Sequence, residues 1–486
     1  MESMLENGSN DNAARELTEA FRRCVAAGLV GEASFADRER RALELGNELV
    51  RQHLEASLQA MADGESDRML VDGIEYHRHQ VGRVKYHSLC GALSVQRWTF
   101  RPVGVRNGAT CVPLELRAGL VEGATPQLAF SVAQGYAKAP IRSVEQDFRA
   151  AFRVPPSRTT LERMAKEIGS HARAVSIRLE SRLRAEETLP DGAVAISLGL
   201  DRTTIPMAEG AAPGDPLPPS RRRTPPKRRV PPRRLLRYRM GYVGTVCITN
   251  RDGEPLVTRR YAAAAHAGPA TVLARMMADL QQALRQRPDL NIGVVQDAAP
   301  ELWNRMRDAL RAELKVPGRG WGIHAWKRQP WREVIDWYHL MQHLAVGLEL
   351  LVEDQSRRRE LLDEWKEKLS RHDGAIRHIA RWFEQTAEAR SPETLSKMHQ
   401  VVGRYIHVAW RFRYASTKKL GLPIGSGVTE GACKSLIAKR TKRSGQRWRP
   451  RGISAVLALR SLLESDRLHR FWALFAPRYT AVCNAA

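Results

Sequence analysis

Cysteine is scarce in this sequence. The 486 residues include six cysteines, and no two of them are spaced as Cys-x-x-Cys. Close cysteine pairs mark disulfide-rich secreted domains and many zinc sites, so their absence argues against a secreted scaffold. The scattered positions predict separate buried thiols: Cys24, Cys90, Cys111, Cys247, Cys433 and Cys483.

A zinc site is the alternative use of some of these thiols. The candidate ligands lie close together in the sequence: His77, His79, His87, Cys90 and Cys111. Structural zinc sites usually combine two close pairs of ligands, and the second pair is missing here. Plain thiols are therefore favoured over a zinc module.

Long apolar runs are also missing. No uninterrupted apolar span reaches the roughly 18 residues of a membrane helix, and no amphipathic lipid anchor is present. The first residues, Met1–Asn7, are polar and acidic, unlike a signal peptide. We therefore expect a cytoplasmic protein with no membrane partner. A chain of this length has room for roughly three or four domains.

Acidic residues are the third shortage. Asp and Glu number 53 against 78 Lys and Arg, which gives a formal net charge of +25. A charge excess of this size predicts association with a polyanion, and DNA or RNA is the natural candidate.

The shortage of acids is most marked in a Pro- and Arg-rich stretch over residues 213–239, where no acid follows Asp215. Proline density and charge repulsion predict a disordered basic arm. We expect its arginines to follow a nucleic-acid backbone: Arg221, Arg222, Arg223, Arg228 and Arg229. A solvated linker is the alternative.

Carboxylates directly follow predicted buried segments of the chain, and these positions are the most informative about an active site. Two apolar runs, 194–200 and 292–296, read as buried strands and end at Asp201 and Asp297. A glycine-rich loop, Pro423–Gly427, then leads to Glu430 on a basic helix. Acids at the carboxyl ends of strands lie where open α/β sheets place active sites. Together the three predict a two-metal site for phosphodiester chemistry.

The order of predicted elements around these acids indicates a fold. A strand, a β-hairpin, a helix, a strand, a helix and a short strand ending at Asp336 match the ribonuclease-H-like mixed sheet. The predicted class is a multidomain α+β protein with that sheet and an all-α insertion. The predicted regions are a helical N-terminal part (1–70), a small β-hairpin unit (71–120), a helix-turn-helix-like region (121–190), the first part of the catalytic core (191–340), the insertion (341–416), and the rest of the core with C-terminal helices (417–486).

Two further groups of cations are candidates for DNA binding. Arg158, Arg163 and Lys166 lie on or near the second helix of the helix-turn-helix-like pair, although an ordinary helical bundle fits the same pattern. The helix that begins near Glu430 carries a second group, which could contact phosphates or form a solvated basic face: Lys434, Lys439, Arg440, Lys442 and Arg443.

Four separated motifs resemble a known family. They are Leu200–Asp201, Gln296–Trp303, Asp336–His339 and Pro423–Glu430, followed by a similar basic tail over Arg440–Trp448. In this order they resemble bacterial insertion-sequence transposases of the ISKra type, within the Mutator-like DDE superfamily. The resemblance covers roughly residues 190–480. The family's paired cysteines near Cys90 and Cys111 are not matched.

The resemblance implies roles for matched residues. Asp201, Asp297 and Glu430 correspond to the DDE carboxylates, which would hold two Mg²⁺ ions, with Mn²⁺ as a substitute. Asp336 and His339 correspond to an Asp-x-x-His signature that would orient the site. Arg447 and Trp448 belong to the basic tail expected to bind DNA.

The implied activity is cleavage of double-stranded DNA at the terminal inverted repeats of a mobile element, followed by strand transfer into target DNA. The implied form is a homodimer or larger assembly on DNA, in the bacterial nucleoid. Two alternatives stay open. One is a metal-dependent nuclease or resolvase on the same fold, and the other is a DNA-binding protein derived from a transposase that no longer catalyses.

Overall fold

The computed structural model describes residues 16, 18–28, 33–210, 234–316, 329–400, 408–479 and 483–485. They form two compact units. One contains the described residues up to His171 together with those from Trp472 onward, and the other runs from Ala172 to Phe471. No helix within these ranges is both long and apolar enough to cross a membrane.

The first unit contains a long helix and a small antiparallel sheet. Helix α1 spans Phe35–Asp63, and the Ser34 hydroxyl caps it by accepting a hydrogen bond from the Asp37 amide at 3.2 Å. The sheet has the order β3-β2-β1-β9. Its strands are β1 (Arg68–Val71), β2 (Ile74–Ser88), β3 (Gly91–Pro102) and β9 (Cys483–Ala485). The long β2–β3 hairpin lies within the predicted β-hairpin region.

Four helices follow this hairpin in the chain: α2 (Pro113–Arg117), α3 (Pro126–Lys138), α4 (Ile141–Ala150) and α5 (Arg158–Glu186). Helices α4 and α5 are the pair predicted to resemble a helix-turn-helix. The chain between them includes the Ser157 hydroxyl, which accepts a hydrogen bond from the Thr160 amide at 3.3 Å. Ser157 therefore caps α5 at its first turn.

The second unit is built on a mixed five-stranded sheet with the order β6-β5-β4-β7-β8. The strands are β4 (Ala195–Gly210), β5 (Arg234–Thr249), β6 (Pro255–Ala263), β7 (Asn291–Gln296) and β8 (Trp331–Ile335). Strands β4, β5 and β6 are antiparallel neighbours, whereas β7 is parallel to β4 and β8 is parallel to β7. The carboxyl ends of β7 and β8 and the end of the apolar run in β4 therefore point the same way.

Both predicted apolar strands are present, but the first does not end at Asp201 as predicted, because β4 continues to Gly210 in its pairing with β5. Residues 195–200 of β4 and 292–296 of β7 are buried throughout. A strand buried on both faces needs apolar residues at nearly every position, which is why these runs are continuous rather than alternating. Each run is followed by its aspartate, Asp201 or Asp297.

Helices cover this sheet and continue beyond it. Those between the strands and in the predicted insertion are α6 (Ala270–Gln286), α7 (Pro300–Glu313), α8 (Trp337–Leu351), α9 (Gln355–Arg371), α10 (Ala375–Glu388), α11 (Pro392–Met398) and α12 (Tyr414–Lys419). The later ones are α13 (Gly427–Ala432), a π-helix (Cys433–Ala438), α14 (Lys439–Thr441) and α15 (Pro450–Glu464). The chain then forms α16 (Leu468–Tyr479), which belongs to the first unit from Trp472 onward. The regular structure described within the predicted all-α insertion is thus helical.

A buried ion cluster anchors β8. Glu333 is buried and accepts two hydrogen bonds of 2.7 Å from Arg307 of α7 and one of 2.9 Å from Arg411. The Arg411 guanidinium also stacks over the Trp303 ring at 4.3 Å. Because each charge is paired inside the protein, the cluster fixes β8 and α7 relative to each other.

The predicted disordered arm is wrong at its carboxyl end. Residues 234–239 belong to β5, which pairs with β4 from Gly210 to Ala195. An ion pair between Arg239 and Glu209, at 2.7 Å, offsets part of the charge repulsion that suggested disorder. The arginines predicted to follow the nucleic-acid backbone lie outside the described residues: Arg221, Arg222, Arg223, Arg228 and Arg229.

Candidate active site

Asp201 lies close enough to the other two predicted carboxylates for their charges to act on it. Its Oδ1 accepts a hydrogen bond from the Arg202 amide at 2.6 Å, and its Oδ2 accepts one from the Cys433 thiol at 3.2 Å. Burial raises the pKa of Asp201 against these hydrogen bonds, and the charges of Asp297 and Glu430 raise it further. Residues from three distant parts of the chain therefore share one electrostatic environment.

Asp297 follows β7 in a turn that is fixed from two sides. Its Oδ1 accepts a hydrogen bond from the Ala299 amide at 3.0 Å, and its carbonyl accepts one from the Trp303 indole at 2.6 Å. Trp303 is fully buried, so its ring is a rigid support. Pro300 begins α7 directly after this turn. Asp297 is thus held at the strand end while its side chain stays half-buried.

Glu430 lies in the first turn of α13, with an exposed side chain. The Ser426 hydroxyl donates a hydrogen bond to Glu430 Oε1 at 3.1 Å. The helix is fixed to the sheet by the preceding residue, because the Thr429 and Thr245 hydroxyls lie 2.7 Å apart. A Cβ atom at Gly199 would overlap with the Thr429 hydroxyl. Glycine at that position allows α13 to approach β4 closely.

Asp336 is 1% exposed and connects β8 to the loop before Glu430. Its Oδ1 accepts a hydrogen bond from the His339 amide at 2.6 Å, which caps α8. Its Oδ2 accepts another from the Ser426 amide. The Trp337 amide donates to the Ile424 carbonyl at 3.0 Å alongside. Both carboxylate oxygens of Asp336 therefore hold backbone amides in place, one at the start of α8 and one in the loop before Glu430.

His339 lies beside that cap without a described hydrogen bond from its ring to a carboxylate. The His339 ring instead contacts the His343 ring edge to face, with centroids 4.6 Å apart. The structure thus places Asp336 in direct contact with the loop that carries Ser426, whereas His339 contributes its backbone amide.

A π-helix continues the chain after α13. Arg460 of α15 is buried, and its Nε donates a hydrogen bond to the Leu436 carbonyl at 3.0 Å. Its Nη2 also donates to the Ser435 carbonyl. π-Helical turns are uncommon and frequently occur at functional sites. The buried guanidinium therefore stabilises the segment between Glu430 and the basic residues that follow.

The basic residues on and after the π-helix divide into two groups. The exposed group comprises Lys434, Lys439, Lys442, Arg443 and Arg447. Lys442 lies near Asp201, since its Nζ donates a hydrogen bond to the Thr203 hydroxyl at 2.8 Å, two residues beyond Asp201.

Two of the residues predicted to bind DNA, Arg440 and Trp448, are buried, which corrects the prediction for them. They are 2% and 9% exposed, and the Arg440 guanidinium packs over the Trp448 ring at 4.8 Å. The Trp448 amide also donates a hydrogen bond to the Pro206 carbonyl at 2.9 Å, which extends the edge of β4. Buried side chains of this kind support the fold and do not present groups to a phosphate.

The predicted cations of the helix-turn-helix-like region are all paired on the surface of the first unit. Arg158 contacts Glu145 at 2.8 Å and Arg163 contacts Glu122 at 3.0 Å. Lys166 contacts Glu162, one turn earlier on α5, at 2.5 Å. Only the Lys166–Glu162 pair is exposed on both sides, and a pair of that kind contributes about 0–1 kcal/mol. In the other two pairs the arginine is exposed and the glutamate is mostly buried.

The three carboxylates are not drawn together into a metal-binding group. Across the described ranges, no group of three or more His, Cys, Asp or Glu side chains is placed so that it could hold a metal ion. The same holds for the suggested zinc ligands around Cys90 and Cys111, neither of which forms a disulfide. Asp201, Asp297 and Glu430 are each oriented by a local hydrogen-bond donor instead. Their carboxylate oxygens are nevertheless the ligand type that Mg²⁺ prefers.

The supporting roles of several residues around this site were not predicted from the sequence. A glycine within a buried apolar run was the one available signal, because it marks a close backbone approach. The other contacts join residues far apart in the chain or depend on tertiary packing, and no local pattern reveals them. The residues concerned are Gly199, Thr245, Trp303, Ser426, Thr429, Cys433 and Arg460.

Comparisons with known proteins add no relative. No protein-family model matches the chain, and a search of curated proteins finds no significant match.

Proposed function

We propose that this protein is a DNA transposase that cuts element ends and joins them to target DNA through Asp201, Asp297 and Glu430. The observation that carries the proposal is the convergence of three segments: β7, which leads to Asp297, is parallel to β4 beside Asp201, and the Cys433 thiol, three residues after Glu430, donates a hydrogen bond to Asp201. Carboxylates that are clustered in this way repel one another unless a cation or a proton is present. Such a cluster at the end of a sheet favours metal-assisted phosphodiester chemistry over a purely structural role.

The sheet supports the same proposal. Three antiparallel strands followed by two parallel ones, in the order β6-β5-β4-β7-β8, are the arrangement expected of a ribonuclease-H-like core. Asp201 follows the central apolar run, Asp297 follows the adjacent parallel strand, and Glu430 arrives on a later helix. This is the order that the resemblance to ISKra-type transposases implies.

The donor set fits magnesium by its chemistry. Asp201, Asp297 and Glu430 would hold the ions, because all three offer hard oxygen ligands. When bound, two such ions would activate the attacking hydroxyl and stabilise the leaving oxygen. Mn²⁺ accepts the same oxygen ligands and would serve as a substitute.

The surrounding residues of the chain would orient the carboxylates and the substrate. Cys433 holds one oxygen of Asp201, and Ser426 holds one oxygen of Glu430. Asp336 fixes the loop on which Ser426 lies, so we assign it to positioning. The exposed Lys442, beside Thr203, would contact a phosphate next to the bond that is cut.

The proposed partner is double-stranded DNA, bound at the terminal inverted repeats and at the target. The net charge of +25 supports a polyanionic partner. Binding by a homodimer or larger assembly follows from the resemblance, because joining two element ends requires two active sites.

Strand transfer tests the proposal. DNA from either side of the gene supplies candidate ends, which are prepared with a precleaved 3′-hydroxyl and incubated with the protein, Mg²⁺ and target plasmid. We expect joined products from the wild type and none from Glu430→Gln, which keeps the side-chain shape but removes the charge. The exposed Glu393→Gln on α11 is the matched control and should join normally.

The outcomes separate the alternatives. Cleavage without joining would indicate a nuclease or resolvase, and end binding without either reaction would indicate a catalytically silent DNA-binding protein. Joining by Glu430→Gln near the wild-type level would overturn the assignment of the third carboxylate.

A further inference from the structure

The strands β4 and β5 extend beyond the rest of the five-stranded sheet. Strand β7 pairs with β4 only over Ala195–Leu198, and β6 pairs with β5 only from Tyr242 onward. Residues 202–210 and 234–241 therefore form a two-stranded extension, here called the β-ribbon. It starts directly after Asp201.

One face of the β-ribbon is apolar and exposed. Leu236, Tyr238 and Met240 are 41%, 66% and 41% exposed, and they share a face because they alternate along β5. Their cross-strand partners, Ala208, Pro206 and Thr204, are small. The ring of Tyr238 therefore stands above its surroundings. Contiguous exposed apolar groups on a protein surface commonly mark a binding site.

The two edges of the β-ribbon differ. On β4 the edge is occupied by Trp448, whose amide donates a hydrogen bond to the Pro206 carbonyl and whose carbonyl accepts one from the Ala208 amide at 2.7 Å. On β5 no strand in the described part of the chain pairs with the outer edge over 234–241. An edge of this kind is open to a partner.

The charge of the β-ribbon limits what that partner can be. Four arginines lie on the β-ribbon: Arg202, Arg234, Arg237 and Arg239. Two acids oppose them, because Glu209 pairs with Arg237 and Arg239, and Glu301 of α7 pairs with Arg202 at 2.7 Å, so a net positive charge remains. Pairing with a second copy of the β-ribbon would bring arginines of both copies together, which is unfavourable. A polyanion would neutralise them.

We propose that the β-ribbon binds an unpaired DNA strand, with a base stacked on Tyr238 between Leu236 and Met240. The choice of DNA as the ligand rests on the proposed function. Aromatic side chains stack on any base, and cations beside them contact the phosphates. Tyr238 pairs with Pro206, five residues beyond Asp201, which is about 17 Å along the strand. A strand held there lies close enough to continue toward the carboxylates.

Fluorescence anisotropy tests this site with two labelled probes, a 20-nucleotide oligo(dT) and a 20-base-pair duplex. Mg²⁺ is omitted and EDTA is added, so that the result does not depend on whether the carboxylates cleave DNA. We expect Tyr238→Ala to weaken oligo(dT) binding by roughly 5- to 150-fold, with little change for the duplex. Tyr238→Phe keeps the ring and should restore binding. Phe35→Ala removes an exposed ring from the first unit and serves as the matched control.

The salt dependence separates stacking from charge. Tyr238→Ala removes no cation, so the slope of log affinity against log salt should stay unchanged. Arg234→Gln should lower that slope by about 0.7 if it removes one phosphate contact to single-stranded DNA.

Three outcomes would overturn the proposal. The first is unchanged oligo(dT) affinity in Tyr238→Ala, and the second is an equal loss for oligo(dT) and duplex. The third is a fall in oligomer mass by light scattering in Tyr238→Ala with DNA affinity retained, which would assign the surface to a second copy. If strand transfer failed but Tyr238→Ala weakened oligo(dT) binding selectively, the β-ribbon site would stand without the transposase.

Discussion

The hydroxyl of Thr429 occupies the space that a side chain at Gly199 would need. Gly199 lies two residues before Asp201 on β4, and Thr429 directly precedes Glu430 on α13. The contact therefore fixes the distance between the strand and the helix that carry two of the proposed catalytic carboxylates.

Adding one methyl group at this contact should separate the two elements. We expect Gly199→Ala to lower the free energy of unfolding of the second unit by about 1–3 kcal/mol, because an over-packed site must shift. DNA cleavage should fall with it. Gly210→Ala, on the same strand, meets no atom within 4 Å and is the matched control. Urea denaturation and a cleavage assay measure both effects, and equal behaviour of the two variants would contradict this account.

Asp297 and Asp336 should respond differently to the loss of charge. Asp297→Asn should eliminate Mg²⁺-dependent cleavage, because we assign that side chain to the metal. Asp336→Asn should reduce cleavage by only about 10- to 100-fold, since it weakens the cap of α8 and the hold on the Ser426 amide.

Iron-mediated hydroxyl-radical cleavage of the protein backbone maps the metal without relying on activity. Cuts near Asp201, Asp297 and Glu430 are expected. Cuts centred on Asp336 and absent near Asp297 would reverse the assignment of the two aspartates.

A buried acid in the first unit should give that unit a pH-dependent stability. Glu65 is 3% exposed, and burial raises its pKa to about 7, against the attraction of Arg117 and Arg78. Because the folded pKa exceeds the unfolded value, stability is fully present below about pH 4.5 and is lost as the pH rises toward 7. Glu65→Gln should remove this dependence. Scanning calorimetry at pH 5 and pH 8 measures the effect. Between these two pH values the Tm of the wild type should fall more than that of Glu65→Gln, and equal falls in the two proteins would contradict the role given to Glu65.

The basic arm should contribute to DNA affinity through charge alone. Residues 218–230 contain six cations and no acid, and they end before β5 begins at Arg234. Replacing these six with glutamine keeps the length, and the log–log salt slope for duplex DNA should fall by about 0.9 for every phosphate that the arm no longer binds. An unchanged slope, with normal unfolding, would reduce the arm to a linker.

The sequence was most informative where one local pattern determines one element. Continuous apolar runs predicted β4 and β7, and Asp297 lies at the end of its strand as expected, whereas β4 continues past Asp201 to Gly210. It was least informative for contacts between distant segments. The hold of Asp336 on Ser426, the thiol of Cys433 beside Asp201 and the burial of Arg440 against Trp448 all depend on tertiary packing, which overrides local propensity. The extension of β5 to Arg234 was missed because its arginines suggested disorder, whereas pairing with β4 supplies the backbone hydrogen bonds.

The number of residues in the π-helix after Glu430 sets the direction in which the following side chains point, as well as the length of the segment. Each residue of an α-helix turns the chain by about 100°, so one residue gained or deleted rotates everything beyond it by that angle. Removing a residue between Cys433 and Ala438 would leave Glu430 beside Ser426 but would turn Lys442 away from Thr203. The hydrogen bonds from Arg460 to the carbonyls of this segment fix how far it is turned about its axis, and so keep Lys442 at Thr203.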